Sequence, residues 1–157
     1  MSIENFANSI DISTITTYQV GMLQASSHRL LQKHSEDVLK QFDINKMHWI
    51  IIGTVLDAGN EGIRLSDLAT KLGTTISYIT TAVNLLSSRN ILIREQNDAD
   101  SRSKIITINE SYKPVCTEIE TTLREALRES LYAKIARKDL ETYIKVMAQF
   151  VSLGDKK

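Results

Sequence analysis

Apolar residues recur at three- and four-residue intervals through most of the chain, which is the spacing of amphipathic helices. Between about Thr16 and Gln41, Val20, Met22, Leu23, Leu30, Leu31, Val38 and Leu39 stand among charged residues and predict one long helix. Asn45 then offers an N-cap for a second helix, Lys46 to Leu56, closed by the turn Gly59-Asn60-Glu61-Gly62. Ser66 reads as the cap of a short helix, Asp67 to Leu72, that stops at Gly73, where a residue free to take positive φ is useful. A further helix, from about Thr75 to Arg89, carries Ile76, Ile79, Ala82, Val83 and Leu86 on one stripe. That stripe is predicted to be buried and the opposite side free.

The period then changes. Ile91 to Gln96 and Lys104 to Ile108 are short and rich in β-branched residues, and the polar run Asn97 to Ser103 lies between them. This pattern predicts a hairpin with a long charged tip. Two more helices follow, about Ser111 to Ala133, with Pro114 in its first turn if Ser111 is the cap, and Arg137 to Leu153. In the last of them Leu140, Tyr143, Ile144, Met147, Phe150 and Val151 form a seam suited to a dimer interface. With one proline and six glycines, the chain favours helix over a turn-rich sheet fold. The predicted class is mostly α (α+β): a winged helix-turn-helix with a two-stranded β wing, framed by long N- and C-terminal helices. The element order divides the chain into a central winged unit, 45–109, and helical flanks, 1–44 and 110–157.

Composition narrows the function more than the fold. The content of 42% hydrophobic and 24% charged residues is that of an ordinary globular protein. No apolar run approaches the roughly eighteen residues of a membrane span, and the polar N-terminus does not resemble a signal peptide, so a cytoplasmic protein is expected. Cys116 is the one cysteine and His28, His34 and His48 are scattered, which leaves no zinc spacing; no metal or cofactor is expected. No nucleophile-base pair or glycine-rich phosphate loop points to an enzyme.

Nineteen basic residues balance nineteen acidic ones, so the net charge does not attract nucleic acid. The local distribution does. No Asp or Glu occurs from Leu68 to Arg94, where about three would be expected at the chain's average acid content, while Lys71, Arg89 and Arg94 remain. On the helix from Thr75, at about 100° per residue, the side away from the apolar stripe is Ser77, Thr81, Asn84 and Ser88, flanked by Thr74, Tyr78 and Thr80. Thr75 opens that helix. A merely solvated face would ordinarily carry Glu and Lys; these short donors and acceptors suit base edges and phosphates, Asn84 matching adenine and Thr a thymine methyl.

Asp67 to Gly73, with Ile79, Val83 and Leu86 and the run Arg89-Asn90-Ile91-Leu92-Ile93-Arg94, resembles the helix-turn-helix of the MarR family of bacterial regulators. Asp98-Ala99-Asp100-Ser101-Arg102-Ser103-Lys104, followed by Ile106 to Asn109, is similar to that family's wing. The resemblance is densest from about Asp43 to Asn109 and implies a homodimeric transcriptional regulator, expected to be a repressor, bound to duplex DNA, with its DNA-binding domain at 45–109 and its dimerisation helices in 1–44 and 110–157. It implies that Arg102 enters the minor groove or pairs with phosphate, with Asp100, Ser101 and Lys104 beside it. Ser101 and Thr81 stand where the family often carries basic residues, which implies fewer charge contacts. The resemblance also suggests a small aromatic or phenolic effector between the dimer helices and the DNA-binding lobe, with Tyr18, His28, His34, His48 and Trp49 as candidates by location. For each of these a packed core or helix interface is the stronger reading. Cys116 lies after the wing and does not match the family's oxidant-sensing cysteines. A winged-helix module that binds protein without specific DNA binding is the alternative from another class, and salt-dependent binding to duplex DNA separates the two.

Overall fold

The computed structural model of the chain describes residues 10, 11, 13–97 and 100–154, and the side chains of residues 96–103 fall outside that description. In chain order the elements are α1 (Thr17–Leu39), α2 (Lys46–Asp57), β1 (Ile63–Arg64), α3 (Leu65–Lys71), α4 (Ile76–Ser88), β2 (Leu92–Asn97), β3 (Asp100–Ile108), α5 (Lys113–Ser130) and α6 (Arg137–Gly154). Helices thus dominate, and one small antiparallel sheet makes the wing.

Local chemistry sets most helix ends. The Thr16 hydroxyl accepts the Gln19 amide at 3.2 Å and Gln19 Oε1 accepts the Thr16 amide at 2.9 Å, a reciprocal cap that starts α1. At α2, Asn45 Oδ1 accepts the His48 amide at 2.8 Å while His48 Nδ1 accepts the Asn45 amide at 3.4 Å. A histidine here takes the place that Glu or Gln usually fills. Three ends share another device, a residue in the left-handed region: Asp43 (φ 54°), Gly73 (φ 61°) and Asn90 (φ 57°). The next amide in each case reaches back to the last turn, Ile44 to the Leu39 carbonyl at 3.2 Å, Thr74 to Ala69 and Ile91 to Leu86 at 3.0 Å. Asp and Asn tolerate this conformation because their short polar side chains bond locally.

Two expected caps are displaced. Ser66 lies inside the first turn of α3, whose N-cap, Arg64, makes no side-chain bond. The cause is β1, which pairs Arg64 with Ile105 of β3 and runs straight into the helix, so sheet pairing fixes the start. Ser111 lies in a 3-10 turn, Glu110–Tyr112, capped by Asn109, whose Oδ1 accepts the Ser111 amide at 3.1 Å. Pro114 does occupy the first turn of α5, which ends at Ser130 rather than near Ala133 and gives way to a 3-10 turn, Tyr132–Lys134.

The sheet has order β1-β3-β2, one strand more than the predicted hairpin. Two residues carry no alternation to read, which is why β1 is silent in the sequence. A glycine permits its close approach: at Gly62 (φ +66°) a Cβ would lie 2.6 Å from Ile105 Cγ2 and 2.7 Å from the Ile106 carbonyl oxygen. The long strands also run further into the polar tip than expected, to Asn97 and from Asp100, with a register shift between Gln96 and Asn97.

Among the described residues, every buried core residue lies between Val38 and Leu123. Ile51, Ile52 and Val55 of α2 pack with Leu68 of α3, Ile79, Val83 and Leu86 of α4, Ile106 of β3 and Ile119 of α5. Each such side chain contributes roughly 1.5–3 kcal/mol by its burial. Ile76 departs from its predicted place in the stripe: it is 55% exposed, because the covered part of α4 begins one turn later, at Ile79. No residue of α6 is buried.

Candidate nucleic-acid interface

The fold pins α4 by its apolar stripe and leaves its other side open. Thr75, Ser77, Tyr78, Thr81, Asn84 and Ser88 are exposed, while Thr74 and Thr80 are half-buried. Thr75 caps the helix by accepting the Tyr78 amide at 3.2 Å. Thr80, Thr81 and Ser88 donate their hydroxyl hydrogens to the carbonyls of Ile76, Ser77 and Leu85 at 2.8, 3.1 and 2.7 Å. Their oxygens keep acceptor capacity, and the hydroxyls can turn outward when a better partner arrives. Ile76 adds an exposed apolar group that periodicity alone assigned to the core.

Two arginines at the end of this helix are structurally engaged. Arg89 donates to the Asp43 carbonyl and pairs with its carboxylate at 3.1 Å, so the end of α4 is tied to the corner between α1 and α2. Arg94, on β2, donates to Asn84 Oδ1. Beside the first of these pairs, burial and the nearby Arg89 charge lower the pKa of His48, with Asp43 opposing them in part. Lys104 of the wing is exposed; the side chains of Asp100, Ser101 and Arg102 lie outside the described residues.

The aromatic and histidine candidates do not converge. Trp49 lines a groove of about 890 Å³ between α2 and α5, His28 a smaller one of about 440 Å³ between α1 and α2, and His48 one of about 270 Å³ beside Arg89. Tyr18 is 74% exposed and, like His34, lines none of the three. The largest groove has Trp49, Leu56 and Cys116 on its apolar side and Glu120, Arg124 and Arg128 of α5 along its polar side. Arg124 pairs with Glu120 at 2.7 Å. Sequence reading missed these α5 residues, since nothing local signals that α5 lines the same groove as α2. Burial pushes the Cys116 thiol pKa up, which disfavours the reactive thiolate.

These features together are a winged helix-turn-helix: a short helix, a left-handed glycine turn, a helix with one polar face, and a hairpin beside it. The MarR family model matches residues 58–104, so the resemblance read from the sequence is shown for the helix-turn-helix and wing. The fold extends the likeness to most of the chain. Sco3205, a MarR family transcriptional regulator from Streptomyces coelicolor solved in complex with DNA, superposes with a TM-score of 0.79 at 16% identity, covering 91% of this chain and 94% of that one. A mutant MarR from E. coli complexed with operator DNA gives a TM-score of 0.74 at 15% identity, over 83% of this chain and 92% of that one. CouR from Rhodococcus jostii RHA1, bound to p-coumaroyl-CoA, gives 0.73 at 15% identity, over 90% and 95%. No curated protein matches the chain in sequence.

Proposed function

We propose that the protein is a sequence-specific DNA-binding transcriptional regulator that acts as a homodimer. The observation that carries this reading is the exposed face of α4, which has short polar side chains and no acid, on a helix held rigidly by its opposite stripe. Such a face fits a major groove without charge repulsion, and a wing beside it fits the adjoining backbone or minor groove. Sco3205 and E. coli MarR, which share this fold, are solved in complex with DNA, and this supports the reading.

The homodimer is supported by α6, where Ile144, Phe150 and Val151 are 60%, 63% and 66% exposed. Tyr143 and Met147 are exposed too and Leu140 is half-buried, so the whole seam awaits a second surface. A two-fold dimer requires a near-palindromic site with half-sites about 10 base pairs, roughly 34 Å, apart. Repression then follows from occupying a promoter. An aromatic carboxylate or phenol seated in the α2–α5 groove, against Trp49 and near Arg128, would favour a dimer geometry that no longer spans both half-sites.

The test is equilibrium binding across a salt series to a site selected from the source genome and to random duplex. Asn84→Ala is expected to cost about 1–3 kcal/mol on the selected site and little on random DNA. Arg102→Ala is expected to weaken both and to reduce the salt slope by about one unit. If both variants bind like wild type, the helix and wing assignments are wrong. Partner binding without salt-dependent DNA affinity would favour the protein-interaction module.

A further inference from the structure

We infer that Arg94 sets the base specificity of Asn84: the two side chains form a unit that presents mainly donors and selects guanine over adenine. The inference rests on the DNA-binding reading above. Leu92 and Arg94, two residues apart on β2, leave the same face of the strand. Leu92 is buried in the core, whereas Arg94 is half-buried where that core meets solvent beneath α4. From there its guanidinium Nη1 donates to Oδ1 of the exposed Asn84.

The contact decides which end of the amide faces which way. A guanidinium has donors and no acceptor, so only the oxygen of Asn84 fits against it. Among the described residues nothing is bonded to the amide nitrogen, Nδ2. A free Asn offers oxygen and nitrogen side by side and thereby matches N6 and N7 of adenine. With the oxygen turned towards Arg94 and one of its two lone pairs taken, the unit offers chiefly the N–H groups of Nδ2 and the remaining N–H groups of Arg94. Guanine accepts at both N7 and O6 in the major groove, but the N6 amino group of adenine would meet another donor. The adenine match expected for Asn84 in isolation is therefore replaced by a guanine match. Arg94, absent from the sequence-derived site, is the specificity-determining residue.

The experiment is selection of duplexes from a randomised pool by the full chain and by Arg94→Ala, Asn84→Ala and the double variant, each first shown to melt like wild type. Wild type is expected to enrich guanine over adenine about tenfold at one position of each half-site. Asn84→Ala is expected to flatten that position. Arg94→Ala is expected to shift it to adenine, because the freed oxygen restores the adenine match, and the double variant is expected to behave like Asn84→Ala. Asn84→Asp, which keeps an acceptor for Arg94 but lacks the amide donors, is expected to lose the guanine as well. Adenine in the wild-type site, or a uniform loss of affinity in Arg94→Ala with guanine retained, overturns the inference while leaving DNA binding intact. A wild-type chain that enriches nothing and shows no salt-dependent affinity for duplex DNA removes the DNA-binding reading itself, and the inference with it.

Discussion

The apolar stripes of α4 and α6 are equally regular in sequence, yet they meet different fates. Ile79, Val83 and Leu86 of α4 are wholly buried by other elements of the same chain, whereas Ile144, Phe150 and Val151 of α6 are more than half exposed. The difference is one of partners rather than of pattern. Periodicity states that a helix has a face to cover; among the described residues the chain covers that of α4 and leaves that of α6 open.

Mutations sharpen that contrast in order of size. Leu86→Ala, which opens a cavity in the lobe, is expected to cost about 2–5 kcal/mol in urea unfolding. A loss well below that range would mean that α4 is not anchored through its stripe. Gly62→Ala comes next, at about 1–3 kcal/mol from the backbone conformation alone, with the overlap on β3 adding to it. Gly59→Ala is a useful partner to it, because Gly59 has a similar φ of +63° but open space around its Cβ position, so it is expected to cost less. Equal costs would show that the close approach of β1 is unimportant.

Asp43→Asn keeps a residue tolerant of the left-handed turn but removes the charge that faces Arg89, and is expected to cost about 0.2–1 kcal/mol because Asp43 is largely exposed. The neighbouring His48 adds a pH dependence. Its pKa is lower in the folded chain than the ordinary 6.5, so the unfolded chain binds the extra proton more readily. Its share of stability is complete above that ordinary value and is lost as pH falls through it towards the lower folded value. His48→Gln preserves the capping geometry and cannot titrate, so its stability is expected to fall less than wild type between pH 7 and pH 5. Parallel curves would remove His48 from the account.

The smallest effect on the lobe is expected from Ile144→Lys with Met147→Lys, within about 0.5 kcal/mol for dilute protein, since neither residue touches the core. The same pair is expected to turn a sedimenting dimer into a monomer. A wild-type chain that sediments as a monomer at micromolar concentration would leave the α6 seam without its proposed partner.

The helices, the Asn45 cap, the Gly73 turn and the open polar face of α4 were all legible in the sequence, because each depends on residues within one or two turns of one another. Ser66 misled as a cap because the pairing of Arg64 with Ile105 outranked a local hydroxyl. Ile76 misled because angular position on a helix does not say how far along its axis the cover extends.

Short-range periodicity and capping thus settle the order and type of the helices and of the two long strands, together with the chemical character of their faces. That β1 joins the sheet, that Arg89 reaches Asp43, that α2 and α5 line one groove and that Arg94 turns the amide of Asn84 emerge with the packed fold. Those outcomes depend on contacts between residues distant in the chain, whose meeting is set by packing of the whole core and leaves no local signal.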